Sequence, residues 1–85
     1  MNQINETRVR VNNQARKELR LAIEKWGLQP HLTLPQQYLI LMEEVGEIAR
    51  TIYEGDYANA KVEIAQSIAM LTKLAWLIEN KEEKE

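Results

Sequence analysis

Apolar residues recur at helical spacing in three stretches of the chain, and two short breaks separate them. The first stretch runs from about Glu6 to Trp26. Its stripe is Val11, Ala15, Leu19, Ala22, Ile23 and Trp26, the i, i+3, i+4 pattern of one helix face. Arg8, Arg10, Arg16, Lys17, Arg20 and Lys25 project mostly from the other faces. The first break is Gly27 to Pro35, a loop bracketed by a glycine and two prolines. Within it Thr33 and Gln36 have capping-box spacing, and Pro35 falls in the first helical turn, where its missing N–H costs nothing. The second stretch, about Pro35 to Glu54, carries Tyr38, Leu41, Met42, Val45, Ile48, Ala49 and Ile52. The second break is Gly55-Asp56. Glycine there can take the left-handed position that ends a helix, and Asp56 can cap the next one. A third helix is predicted from about Tyr57 to Asn80, with a frayed tail over 81–85. The pattern predicts an all-α fold, one helical domain spanning 1–85.

The third helix differs from the others. Val62, Ile64, Ala65, Ile68, Ala69, Met70, Leu71, Leu74, Ala75, Trp76, Leu77 and Ile78 go round it and leave no polar face. Between Gln66 and Glu79 its only charge is Lys73. A helix apolar all round is buried on every side, and two other short helices do not cover it. A second copy does. The expectation is a three-helix protomer that completes a four-helix-type bundle as a homodimer or a dimer of dimers.

Composition sharpens this expectation. A chain of 85 residues buries a thin core, and natural domains of that size lean on disulfides, metals or partners. Cysteine is absent, which removes disulfides and, with no signal-like leader, fits a cytoplasmic setting. No apolar run approaches the ~20 residues of a membrane span, so no membrane partner is expected. A metal or a partner subunit is left. The net charge of −2 conceals an uneven distribution: residues 1–31 carry six basic and three acidic side chains, residues 32–85 five and ten.

The acidic part holds the candidate chemistry. Glu44 and Glu47 are separated by i, i+3, as are Glu63 and Gln66, so each pair shares a helix face. Glu44 borders the apolar stripe of its helix. Glu63 and Gln66 lie on the helix with no polar face. A carboxylate in such a place carries a desolvation cost of several kcal/mol unless a cation meets it. Lys73 or Arg50 could supply that cation in a buried ion-pair network. Alternatively, the two pairs sit on antiparallel helices joined by a tight turn and bring four oxygen donors to one level. With no sulfur and no histidine at ligand spacing, such donors suit Mg²⁺ or Mn²⁺.

Glu44-Val-Gly-Glu47, followed after a gap by Glu63-Ile-Ala-Gln66, resembles the ExxE…ExxD metal motif of the MazG-like all-α nucleoside triphosphate pyrophosphatases. The segment Ile40-Leu-Met-Glu-Glu-Val-Gly-Glu47, the Lys25-Trp26-Gly27…His31 region, the Glu-Gly-Asp56 turn and the Ala-Trp-Leu-Ile-Glu79 ending are similar to a short, phage-type branch of that family. The resemblance covers roughly residues 17–80. It implies hydrolysis of a nucleoside or deoxynucleoside triphosphate to the monophosphate and pyrophosphate. Glu44, Glu47, Glu63 and Gln66 would hold Mg²⁺, and Glu43 or Glu47 would activate water. Trp26 and His31 would meet the base, and Lys73 or the basic residues of the first helix the outer phosphates. One position departs from the motif. Gln66 stands where the family has Asp, and its neutral carbonyl would hold Mg²⁺ more weakly, or only together with the triphosphate.

Two other classes remain open on sequence. Gln66 fits a non-catalytic helical interaction module whose apolar third helix meets a partner. Arg8, Arg10, Arg16, Lys17 and Arg20 fit a nucleic-acid binder, against which stand the missing aromatic interleaving and the acidic remainder.

Overall fold

The computed structural model describes residues 2–29 and 31–84, with side chains described for 3–29 and 31–81. It is all-helical: α1 Asn2–Trp26, α2 Leu34–Tyr53 and α3 Tyr57–Lys84. No described helix is long and apolar enough to cross a membrane.

Local chemistry ends each helix where the sequence signals it. Gly27, at φ +72°, donates its N–H to Ile23 O and closes α1. Thr33 caps α2: its N–H donates to Gln36 Oε1 at 2.8 Å, and Gln36 N–H donates to Thr33 Oγ1 at 3.2 Å. Gly55, at φ +76°, lets the N–H groups of Gly55 and Asp56 reach Ile52 O and Thr51 O, the double closure of a Schellman turn. Asp56 then accepts from Asn59 N–H at 3.3 Å and caps α3. The helices run longer than the apolar stripes. α1 begins at Asn2 rather than near Glu6, and α3 continues past Asn80 to Lys84. At the start of α1, Gln3, Ile4 and Asn5 are exposed, so the helix is prolonged there without burial.

α3 is the central element. Among the described residues the backbones of α1 and α2 each approach α3 closely and do not approach one another as closely. The tight turn makes α2 antiparallel to α3. α1 runs parallel to α3, because Glu18 meets Gln66 and, farther along both segments, Gln29 meets Lys73. The buried apolar residues are mostly small, Ala15, Ala60, Ala65 and Ala69 with Leu41, and among the described residues no large side chain is fully enclosed. The core is as thin as chain length dictates.

Two stripes are only partly buried. On α1, Ala15 is buried and Leu19 half-buried, but Ile23 is exposed and Trp26 is 62% exposed. On α2 the reversal goes further. The face toward α3 is Gln37, Leu41, Glu44, Ile48 and Thr51, while Tyr38, Met42, Val45, Ala49 and Ile52 point to solvent. Helical spacing places residues on a shared face without saying which face turns inward. On α3, Gln66, Ala69, Met70 and Lys73 look into the space between α1 and α2. The opposite face, Ile64, Leu71, Ala75 and Ile78, is exposed, Leu71 to 51%. α3 is eight residues, about two turns, longer than the antiparallel α2, and Trp76 is 44% exposed toward its C-terminal end.

Gly46 lies inside α2 with nothing within 4 Å of the position a Cβ would take. Gly46→Ala is therefore expected to stabilise the helix by about 1 kcal/mol, a Tm rise of roughly 5 °C for a domain this small. Thermal circular dichroism at fixed protein concentration reads this out. A fall in Tm would show that something outside the protomer lies against Gly46.

Candidate functional site

α1 and α2 flank α3 without close backbone approach to one another, and residues of all three helices line an open cleft of about 490 Å³. One end is acidic. Glu44 of α2 lines it, and Glu63 of α3, which does not itself line the cleft, comes within hydrogen-bonding reach of Glu44. Glu63 Oε2 is enclosed and has no hydrogen-bond partner. Burial, above all, and then the facing Glu63, with Glu47 and Glu43 beside it, push the Glu44 carboxyl up from 4.5 to about 7. This is the electrostatic signature of two carboxylates close together in a semi-enclosed place.

A pH dependence follows for the metal-free protein. The proton on Glu44 is bound more tightly in the folded chain than in the unfolded one. Its stabilising contribution is complete below about 4.5 and is lost as pH rises through about 7. Melting wild type and Glu44→Gln in chelator, the Tm of wild type relative to the variant is expected to fall across that window and to be flat below it. A difference independent of pH would contradict the shared-proton arrangement.

The rest of the expected ligand set is placed differently. Glu47 forms an ion pair with Arg50 one turn along its own helix. Gln66 lies one turn from Glu63 and lines the cleft, but its Nε2 donates to Glu18 Oε1 at 3.2 Å. Glu43 is exposed and outside the cleft lining. Among the described residues no three or more His, Asp or Glu side chains stand together as a ready metal-binding group.

The other end of the cleft is cationic and aromatic. Lys73 Nζ donates to Gln29 Oε1 at 2.8 Å, and burial lowers the Lys73 pKa. Lys25 Nζ lies 4.9 Å from the centroid of the Trp26 ring, and both residues line the cleft. The exposure of Trp26 removes it from the core and leaves a ring face at the mouth. Trp76, one turn beyond Lys73 on α3, does not line the cleft. His31 is exposed in the connecting loop and does not line the cleft.

Two residues escaped the sequence reading. Glu18 is an acid on a basic helix, next to Leu19 of the apolar stripe, and that position was its only signal. Gln29 is a non-glycine residue at φ +54°, a conformation costing about 1–2 kcal/mol. Its carbonyl accepts from Gln37 Nε2 at 2.9 Å and from Leu32 N–H at 3.1 Å, and its side chain holds Lys73. Nothing in local spacing announces such a turn.

No family model, curated protein or solved structure matches this chain.

Proposed function

We propose that the protein is a Mg²⁺-dependent nucleoside triphosphate pyrophosphohydrolase, with Mn²⁺ as a substitute cation. The observation that carries this reading is the approach of Glu63 to Glu44, which lines the open cleft, with the enclosed Glu63 Oε2 left without a partner. The donor chemistry fits a hard cation: oxygen only, negatively charged, and desolvated enough to gain from neutralisation. Glu44 and Glu63 would hold it, with Glu47 and Gln66 as the further donors that the motif resemblance implies. When bound, the cation neutralises charge on the phosphate oxygens.

The chain's own groups do the rest. Glu43 or Glu47 takes the proton of a water whose oxygen attacks the α-phosphorus, and the bond to the bridging oxygen breaks to release pyrophosphate. Lys73, at the opposite end of the cleft, meets phosphate charge at a distance from the carboxylates. Trp26 offers its exposed ring to a planar base. A panel of ribo- and deoxyribonucleoside triphosphates, assayed with Mg²⁺ and Mn²⁺ for pyrophosphate, tests the reading. Turnover of at least one nucleotide is expected. No turnover of any by folded protein refutes the assignment.

The same reading includes a second copy of the chain. Ile64, Leu71, Ala75 and Ile78 form an exposed strip on α3 opposite the cleft, and a two-fold pairing of this face would cover it while leaving the cleft open. The outward stripe of α2 is the observation favouring the second class, a non-catalytic interaction module. That class requires assembly without turnover. The exposed Arg16, Lys17 and Arg20 line only a shallow surface depression. A nucleic-acid role would appear as salt-sensitive binding lost with Arg16 and Arg20.

A further inference from the structure

The cationic end of the cleft holds a lysine whose partner carries no charge. Lys73 is half-buried on α3, and burial is the cause of its lowered pKa, with no carboxylate acting against it. Among the described residues it makes no ion pair. Its Nζ donates instead to the neutral Oε1 of Gln29, 44 positions earlier, at 2.8 Å. An ammonium has three N–H donors, and this contact uses one. Glu18 and Glu44 line the same cleft, but neither is bonded to Lys73. Gln29 is itself fixed through its backbone. Its carbonyl accepts from Leu32 N–H and from Nε2 of Gln37, an α2 residue only 3% exposed. Its φ of +54° is one where glycine is the unstrained choice, and Gly27 fills such a position two residues earlier. A side chain kept at Gln29 stores strain that a glycine would release. What the chain retains with that strain is the amide on Lys73.

We propose that Gln29 is the positioning residue for Lys73, holding its ammonium in place with the charge uncompensated so that it meets a phosphate anion. This rests on the reading that a phosphate chain enters the cleft. A carboxylate at position 29 would tie Lys73 at least as firmly, but it would cancel the charge. A neutral amide ties the side chain and leaves two N–H donors and the full positive charge for a ligand. Ordering a rotamer-rich lysine in advance also removes part of the entropy cost of binding. The strained turn after α1 thereby acts on the ligand through α3, without touching the ligand itself.

The test is the affinity for inorganic pyrophosphate, read by isothermal titration calorimetry in chelator and again with Mg²⁺, beside thermal melts of the same variants. Gln29→Glu is expected to raise the Kd about tenfold or more, because its carboxylate pairs with Lys73 in place of the anion. Its melting temperature is expected to be no lower than that of wild type. Gln29→Gly is expected to raise the Kd about threefold to tenfold, since Lys73 keeps its charge and loses its fixed place. It is expected to melt at or above wild type, because glycine takes φ +54° without strain. Lys73→Gln gives the full loss of the cation. Lys61→Gln changes the net charge by the same amount as Gln29→Glu, on an exposed residue of α3 outside the cleft, and is expected to leave the Kd unchanged. Wild-type affinity in both Gln29 variants, with affinity lost in Lys73→Gln, makes the contact a structural tie and overturns the role of Gln29 alone. Equal losses in Gln29→Glu and Lys61→Gln reduce it to a long-range charge effect and also overturn it. Absence of pyrophosphate binding by wild type under both conditions overturns it together with the anion role of Lys73. Binding that follows the expected order without turnover of any nucleotide upholds it and removes only the enzymatic reading.

Discussion

Replacing Glu63 by Gln is expected to lower Mg²⁺-dependent pyrophosphate release by about a hundredfold or more, the range over which loss of a metal-holding or proton-handling group acts. The physical basis is the enclosure of Glu63 Oε2, which has no partner in the protein, and its closeness to Glu44. The amide keeps the volume of the side chain and removes its charge. It also removes the part of the upward shift of Glu44 that comes from Glu63 rather than from burial, the larger cause. The variant is therefore expected to fold at least as stably as wild type in chelator while losing activity. That pairing separates a site carboxylate from a structural one: a member of an ion-pair network would lose stability when neutralised. Gln66→Asp, in contrast, is expected to preserve or raise the rate. Steady-state rates with matched melting curves read both variants, and a fully active Glu63→Gln contradicts the assignment.

The second large effect concerns assembly. Leu71→Glu is expected to reduce the solution mass to the 9.9 kDa of one chain, where wild type is expected at twice or four times that value. Leu71 is 51% exposed in the protomer and sits midway along the strip running from Ile64 to Ile78. Burying a leucine of this kind contributes about 1.5–3 kcal/mol, and two-fold symmetry counts each substitution twice. A glutamate on the strip adds the desolvation of an unpaired charge. Light scattering at fixed concentration reads the outcome. A wild-type mass equal to one chain would show that the exposed face of α3 needs no second copy.

Much of this architecture was legible because it is local. Thr33 with Gln36, Gly55 with Asp56, and Gly27 end or start helices through chemistry confined to a few residues, so spacing alone located the breaks. That Glu44 and Glu63 come close together was legible for a related reason. Carboxylates beside apolar stripes are anomalous in any packing, and the tight turn dictates which levels of α2 and α3 meet. What spacing does not encode is the choice between two plausible inward faces. α2 turns its mixed face, with Gln37, Glu44 and Thr51, toward α3 and leaves Tyr38, Met42 and Ile52 outside. The same limit hid the partners of the site. Glu47 pairs with Arg50 within one helix, whereas Gln66 and Lys73 find Glu18 and Gln29 across long stretches of sequence. Such pairings depend on how far α1 slides along α3, and no short motif records that offset. Gln29 adds a positive φ that its residue type does not advertise.

The products of the reaction decide the matter. Following a nucleotide that is turned over by ³¹P NMR in the presence of Mg²⁺, the cleft chemistry is expected to give one monophosphate and one pyrophosphate resonance in equal amounts, both absent with Glu63→Gln. An unchanged triphosphate spectrum, or diphosphate with orthophosphate, would contradict attack at the α-phosphorus directed by the Glu44–Glu63 pair.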